Sequence, residues 1–280
     1  MRRALGSDGM AWVMLSALLC LGAIVVTAIS AEGGTALSAA PIAQALDWQP
    51  ALGLREPWRL WTCAWVHGSA AHLLVNVAGG MVVAFVGWRA RVAPAAAVAW
   101  LVAWPATQLL MAAIGSPRLA AVMPHYFGLS GVLHAGVVVL GLSLAWPSAR
   151  ARVRSRGAPP RADAGFAATR GSAIEPSRIT EGPWAMTELG TSTALPASTL
   201  DQPPPQVDDE RPLRERWIGV AIFAGTLAKV AFEAPWDLAP RASQALGIAV
   251  APVAHACGIV AGLLAWAAVR RLDRRAAEHP

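Results

Sequence analysis

The stretch WVHGSAAHLLVNVAGGMVVAFVGW, residues 65–88, is apolar and long enough to cross a membrane, yet its first half carries His67, His72 and Asn76. A hydrocarbon core of roughly 30 Å is crossed by about 20 residues of helix, and ionisable groups at that depth are costly and usually functional. Two more apolar stretches repeat the pattern. HYFGLSGVLHAG, residues 125–136, brings Ser130 and His134, and VAHACGIVAG, residues 253–262, brings His255. These groups fall on three different spans, each nearer the same side of the bilayer, which argues for one buried site.

Working outward, six stretches read as spans: 12–29, 65–88, 94–114, 127–146, 217–232 and 246–269. The fifth is short and carries Lys229. A chain that is 55% hydrophobic and 14% charged has the composition of a membrane protein, and the fold class expected is an all-α membrane protein. A net charge of +6 would suggest nucleic acid in a soluble protein, but its distribution excludes that. Of 23 basic residues, 18 lie at Arg2 and Arg3, at Arg89 and Arg91, across 150–216, and across 270–275. With six spans, all four segments share one side. The opposite side holds Arg55, Arg59, Arg118 and Arg241, so the positive-inside rule places both termini in the cytoplasm.

The organisation expected is four membrane helices over 1–146, a loop over 147–216, two more helices over 217–270 and a basic cytoplasmic tail over 271–280. The loop is rich in Pro, Ser, Thr, Arg and acids, as in GAPPRADAG and LDQPPPQVDDE. Such a composition cannot bury enough apolar surface to offset ordering, so it reads as a disordered cytoplasmic spacer. The 35–60 stretch lies outside, where Trp48, Trp58 and Trp61 suit an interfacial belt or a partly embedded loop. Arg2 and Arg3 before an apolar run, with small residues at 28–31, also fit a signal peptide; the run is long for one, and cleavage would leave an odd number of spans. Cys20, Cys63 and Cys257 show no paired spacing, so they read as apolar packing residues rather than a disulfide or CxxC site.

Ser130 sits at the start of the fourth span between glycines Gly128 and Gly131. A helix N-terminus there favours developing negative charge, although serine in a membrane helix often serves packing alone. His255 changes the weighing. Gly258 and Gly262 share its helical face, and a Gly-x-x-x-Gly pair lets helices approach closely. If the fourth and sixth helices pack through Gly131 and Gly258, His255 reaches Ser130 and can act as general base to a serine nucleophile. His72 and Asn76, at i and i+4, present one face and, with the Ser130 backbone N–H, could form an oxyanion hole. His67 lies farther out, to orient a loop or neighbouring donor. His134 could brace His255 or close the floor. No carboxylate occurs in these segments, which favours a Ser-His dyad over a triad.

The ordered set His67-x4-His72-x3-Asn76, Gly128-x-Ser130-Gly131 and Ala254-His255-x2-Gly258-x3-Gly262 resembles the rhomboid intramembrane serine proteases. That resemblance implies a six-helix rhomboid-like bundle, no cofactor or metal, and membrane-anchored protein substrates entering laterally from the bilayer. It also implies Ser130 as nucleophile, His255 as base, and His72 with Asn76 as oxyanion hole. His134 stands where the family often has a tyrosine that stacks on the base, and the run Gly128–His134 looks like the rhombosortase branch. This implies processing of exported proteins at a C-terminal sorting tail, in a bacterial inner membrane with the site opening to the periplasm. Three other readings compete: an inactive rhomboid-like protein that binds transmembrane helices, a metal or haem site built from the histidines, and a transporter. The presence of both Ser130 and His255 opposes the first. The lack of HExxH or acidic ligands opposes the second, and the lack of paired halves the third.

Overall fold

Four helices are long and apolar enough to cross a membrane: α1 (Met10–Glu32), α4 (Ala70–Arg89), α5 (Pro94–Ala113) and α9 (Pro252–Glu278). They join α7 (Ser130–Ala145) and α8 (Leu213–Phe232) in a mostly helical fold. The computed structural model describes residues 9–147, except 33, 35 and 115, and residues 213–278. The expected loop over 147–216 therefore falls almost wholly outside the described residues. Its last four positions form the first turn of α8.

All six stretches read from the sequence contain a helix, but two differ from the others. The 16 residues of α7 span only about 24 Å at 1.5 Å per residue, and α8 carries Arg214, Glu215, Arg216 and Lys229. Two starts shift furthest. α4 begins at Ala70 rather than 65, because Cys63–Trp65 forms a 3-10 turn and Val66 is extended. α9 begins at Pro252 rather than 246, because β1 (Arg241–Ser243) and β2 (Ile248–Val250) form an antiparallel hairpin before it. α9 then continues through Glu278, so most of the expected tail is helix.

Tryptophans set into glycine notches hold the helices together. The indole of Trp12 lies where a Cβ on Gly87 would be 2.2 Å from Trp12 Cδ1, and its Nε1 donates to the Val83 carbonyl at 2.9 Å. Trp100 repeats the device, lying over Gly136 and donating to Val132 at 2.8 Å. In both, the acceptor is four residues before the glycine: the missing side chain exposes a helical carbonyl that has a lone pair to spare. Trp12 and Trp100 meet at 4.6 Å. α7 is central, buried along most of its length and flanked by α4, α5, α8 and α9.

At the end where α4, α7 and α9 start, short helices α2 (Pro41–Leu46), α3 (Arg59–Thr62) and α6 (Ser116–Val122) build a cap. Trp48 is buried there rather than interfacial, 1% exposed, and exchanges both backbone hydrogen bonds with Tyr126 at 2.9 and 2.8 Å. Asp47 anchors the cap, 3.0 Å from Arg59 Nη1 and 2.6 Å from His125 Nδ1. Ser69 ties two more pieces: its hydroxyl accepts the His72 N–H at 3.0 Å and donates to the Leu246 carbonyl. Ser69→Ala is expected to lower stability by about 1 kcal/mol through the lost helix cap, read as a lower thermal midpoint of the purified protein.

Candidate active site

His72, Ser130 and His255 each sit at a helix start. His72 is the third residue of α4, Ser130 the first of α7 and His255 the fourth of α9. His255 is therefore at the mouth of its helix, nearer its start than a span beginning at 246 implies. Because the chain alternates direction, these three N-termini converge, and their positive dipole ends favour an anion between them.

The approach to Ser130 requires glycine. Gly128 has φ +120°, a conformation that side chains rarely adopt, and a Cβ there would lie 2.7 Å from His72 Cε1. Gly131 and Gly258 bring α7 against α9: a Cβ on Gly258 would stand 2.1 Å from the Gly131 carbonyl oxygen. One turn on, a Cβ on Gly262 would stand 2.6 Å from the Ala135 carbonyl. At this closeness His255 Nε2 lies 3.0 Å from Ser130 Oγ. The contact expected through Gly131 and Gly258 is present.

A carboxylate does meet the histidine, from outside the segments that carry the other site residues. Glu233 directly follows the last residue of α8, and its Oε2 lies 2.6 Å from His255 Nδ1 while its Oε1 accepts from Lys229 Nζ at 2.7 Å. Along the chain Glu233 reads as an i+4 partner of Lys229, and its contact with His255 is hidden by the turn and hairpin that separate α8 from α9. The available signal was an ion pair placed at the far end of the apolar stretch of α8. Burial works to raise the Glu233 carboxyl, but the hydrogen bonds from His255 and Lys229 outweigh it and hold the group down to about 2.

His134 lies against the imidazole of His255. Its ring stacks on His255 at 4.2 Å and 19°. Its Nδ1 lies 2.7 Å from the Ser130 carbonyl, and Lys229 Nζ lies 3.0 Å from its Nε2. The partners assign the tautomers. An ammonium only donates, so His134 Nε2 accepts and its Nδ1–H donates to the carbonyl. An ionised carboxylate only accepts, so His255 Nδ1 carries the proton and its Nε2 lone pair faces Ser130.

His72 and Asn76 are buried and line the same cavity as Ser130, His134 and His255, with a volume of about 790 Å³. That cavity lies against α7 between α4 and α8, whose Lys229 and Phe232 form its other wall. His72 Nδ1 is buried without a hydrogen-bond partner among the described residues, leaving a ring nitrogen to offer a ligand. Asn76 Nδ2 faces His67 Nε2 at 3.2 Å. His67 sits in the turn before α4, fully buried, with its Nδ1 3.3 Å from the Trp65 carbonyl. It thus orients the Asn76 amide. A second cavity of about 200 Å³, lined by His125, Tyr126 and Ile248, also reaches Ser130 and His72.

Cys20, Cys63 and Cys257 are buried and free of disulfides. Among the described residues, no group of three or more His, Cys, Asp or Glu side chains is placed to hold a metal ion. Comparison with known proteins gives no family model, no curated protein and no solved structure that matches the chain.

Proposed function

We propose that the protein is an intramembrane serine endopeptidase of rhomboid-like design, with six membrane helices and a site that opens toward the periplasmic side of a bacterial inner membrane. The observation that carries this reading is the 3.0 Å contact between Ser130 Oγ and His255 Nε2, at a helix N-terminus facing a cavity of about 790 Å³. Both termini are cytoplasmic in this reading, which follows from the distribution of arginine.

The substrate is a membrane-anchored segment that reaches the cavity laterally, between α4 and α8, and unwinds there to expose a peptide bond. Ser130 Oγ attacks the carbonyl carbon as His255 Nε2 takes the hydroxyl proton. The oxyanion meets the Ser130 backbone N–H, a ring N–H of His72 and the Asn76 amide. His255 then protonates the leaving amine, the C–N bond breaks, and water attacks the acyl-enzyme with the same base. Small residues at the scissile bond favour unwinding, consistent with the C-terminal sorting tail of an exported protein as the substrate class.

A fluorophosphonate probe tests the nucleophile without knowledge of the substrate. Incubated with the full-length protein in membranes, it is expected to modify Ser130 and no other serine, mapped by peptide mass spectrometry. An unlabelled Ser130 in folded protein would refute the reading.

A further inference from the structure

We propose that Glu233 is the positioning residue of a Ser130–His255–Glu233 system: its carboxylate fixes the imidazole for proton transfer and compensates the imidazolium that forms as Ser130 attacks. This rests on the serine-peptidase reading above and alters its chemistry from two groups to three.

The argument starts from how the two carboxylate oxygens are divided. Oε2 faces His255 Nδ1 at 2.6 Å and Oε1 faces Lys229 Nζ at 2.7 Å, so the group cannot rotate without losing one partner. Lys229 is itself held, 3.0 Å from His134 Nε2, and His134 returns to the Ser130 carbonyl at 2.7 Å. With the 3.0 Å contact from Ser130 Oγ to His255 Nε2, these bonds close a ring that begins and ends on Ser130. Every member has one donor and acceptor assignment compatible with its neighbours. A surface ion pair between Lys229 and Glu233 would need only the first contact; it would not place the second oxygen on a buried imidazole.

The chemistry gains at two points. Before attack, a carboxylate on Nδ1–H excludes the tautomer that would put a proton between Nε2 and Ser130 Oγ. During attack, the proton moves from Oγ to Nε2, the new Oγ–C bond forms and negative charge passes to the substrate oxygen. His255 then carries a positive charge that Glu233 neutralises, while Glu233 keeps its own ionised state throughout. Because Glu233 is supplied by α8, one wall of the substrate cavity, the system is complete only with that wall seated against α7.

The test compares wild type with Glu233→Gln and Glu233→Asp, using full-length protein, a reporter with a Gly-rich tail before one hydrophobic helix, and the fluorophosphonate probe. Glu233→Gln is expected to lower kcat by up to about 10⁴-fold, the loss that follows replacement of the orienting carboxylate in a Ser-His-Asp triad. KM should stay within about threefold, and probe labelling should slow in parallel. Glu233→Asp keeps the charge but withdraws it, and should fall between the two at wild-type thermal stability. The proposal is overturned if both variants turn over and label at the wild-type rate. It is also overturned if the loss in each is accounted for by less folded protein. Should wild type neither label nor cleave, the peptidase reading fails and this one with it. Should Ser130→Ala alone be dead while both Glu233 variants match wild type, only the role of Glu233 fails.

Discussion

Ser130→Ala is expected to lower cleavage of a transmembrane reporter by about 10⁴–10⁶-fold, with His255→Ala as severe and the double variant scarcely worse. Groups that act as one nucleophilic unit are not additive, so removing either removes nearly all that the unit supplies. The variants should remain folded. Ser130 Oγ makes its side-chain contact with His255 alone among the described residues, and one such hydrogen bond is worth about 1 kcal/mol net. Cleavage by the wild type should also survive a strong chelator, since no described side chains gather as a metal site. Two results would count against the assignment: full activity in folded Ser130→Ala, or inactivation by chelator with restoration by zinc.

What the sequence made legible was what short-range chemistry dictates. His72 and Asn76 had to share a helical face, and the Gly258 and Gly262 pair foretold where α9 would press on α7. The glycines carried that contact because their role is local: a missing side chain is visible in the chain itself. Helix starts were less legible, since they depend on groups such as Ser69, which caps α4, and on a two-stranded hairpin whose strands have only three residues each. His255 moved to the mouth of its helix for that reason. The number of spans was the least legible, because α8 mixes apolar residues with Arg214, Glu215, Arg216 and Lys229.

Glu233 was missed for a related reason. Along the chain it reads as an i+4 partner for Lys229, and that pair exists. Its second oxygen is used 22 residues away, across a turn, a hairpin and the start of another helix. No periodicity spans those elements. His67 shows the same limit in milder form, its contact to Asn76 depending on a turn outside the regular helix. His134 shows the converse: a stacking partner need only be flat and placed one turn beyond the serine, and imidazole meets that condition on His255.

Gly258→Val is expected to disable the protein more completely than any other change to a residue without a reactive group. A Cβ at 258 would already stand 2.1 Å from the Gly131 carbonyl oxygen and 3.0 Å from its carbon, where ordinary contact begins near 3.4 Å. The obstacle is helical backbone, which cannot swing aside as a flexible side chain can. The helices must therefore separate by more than an ångström. Separation strains the packing, at about 1–3 kcal/mol or somewhat more for a branched side chain. It also withdraws His255, three residues before Gly258, from Ser130 Oγ at 3.0 Å. A displacement of about 1 Å in a reacting pair can lower the rate roughly 10²-fold, so activity should fall by at least that factor even in the fraction that remains folded. Gly225→Ala supplies the control, since a Cβ on that residue of α8 meets no atom within 4 Å. It should leave the thermal midpoint and the rate near wild type. Equal rates and midpoints for Gly258→Val and Gly225→Ala would mean that α7 and α9 do not meet through Gly131 and Gly258, and the Ser130–His255 contact would lose its physical basis.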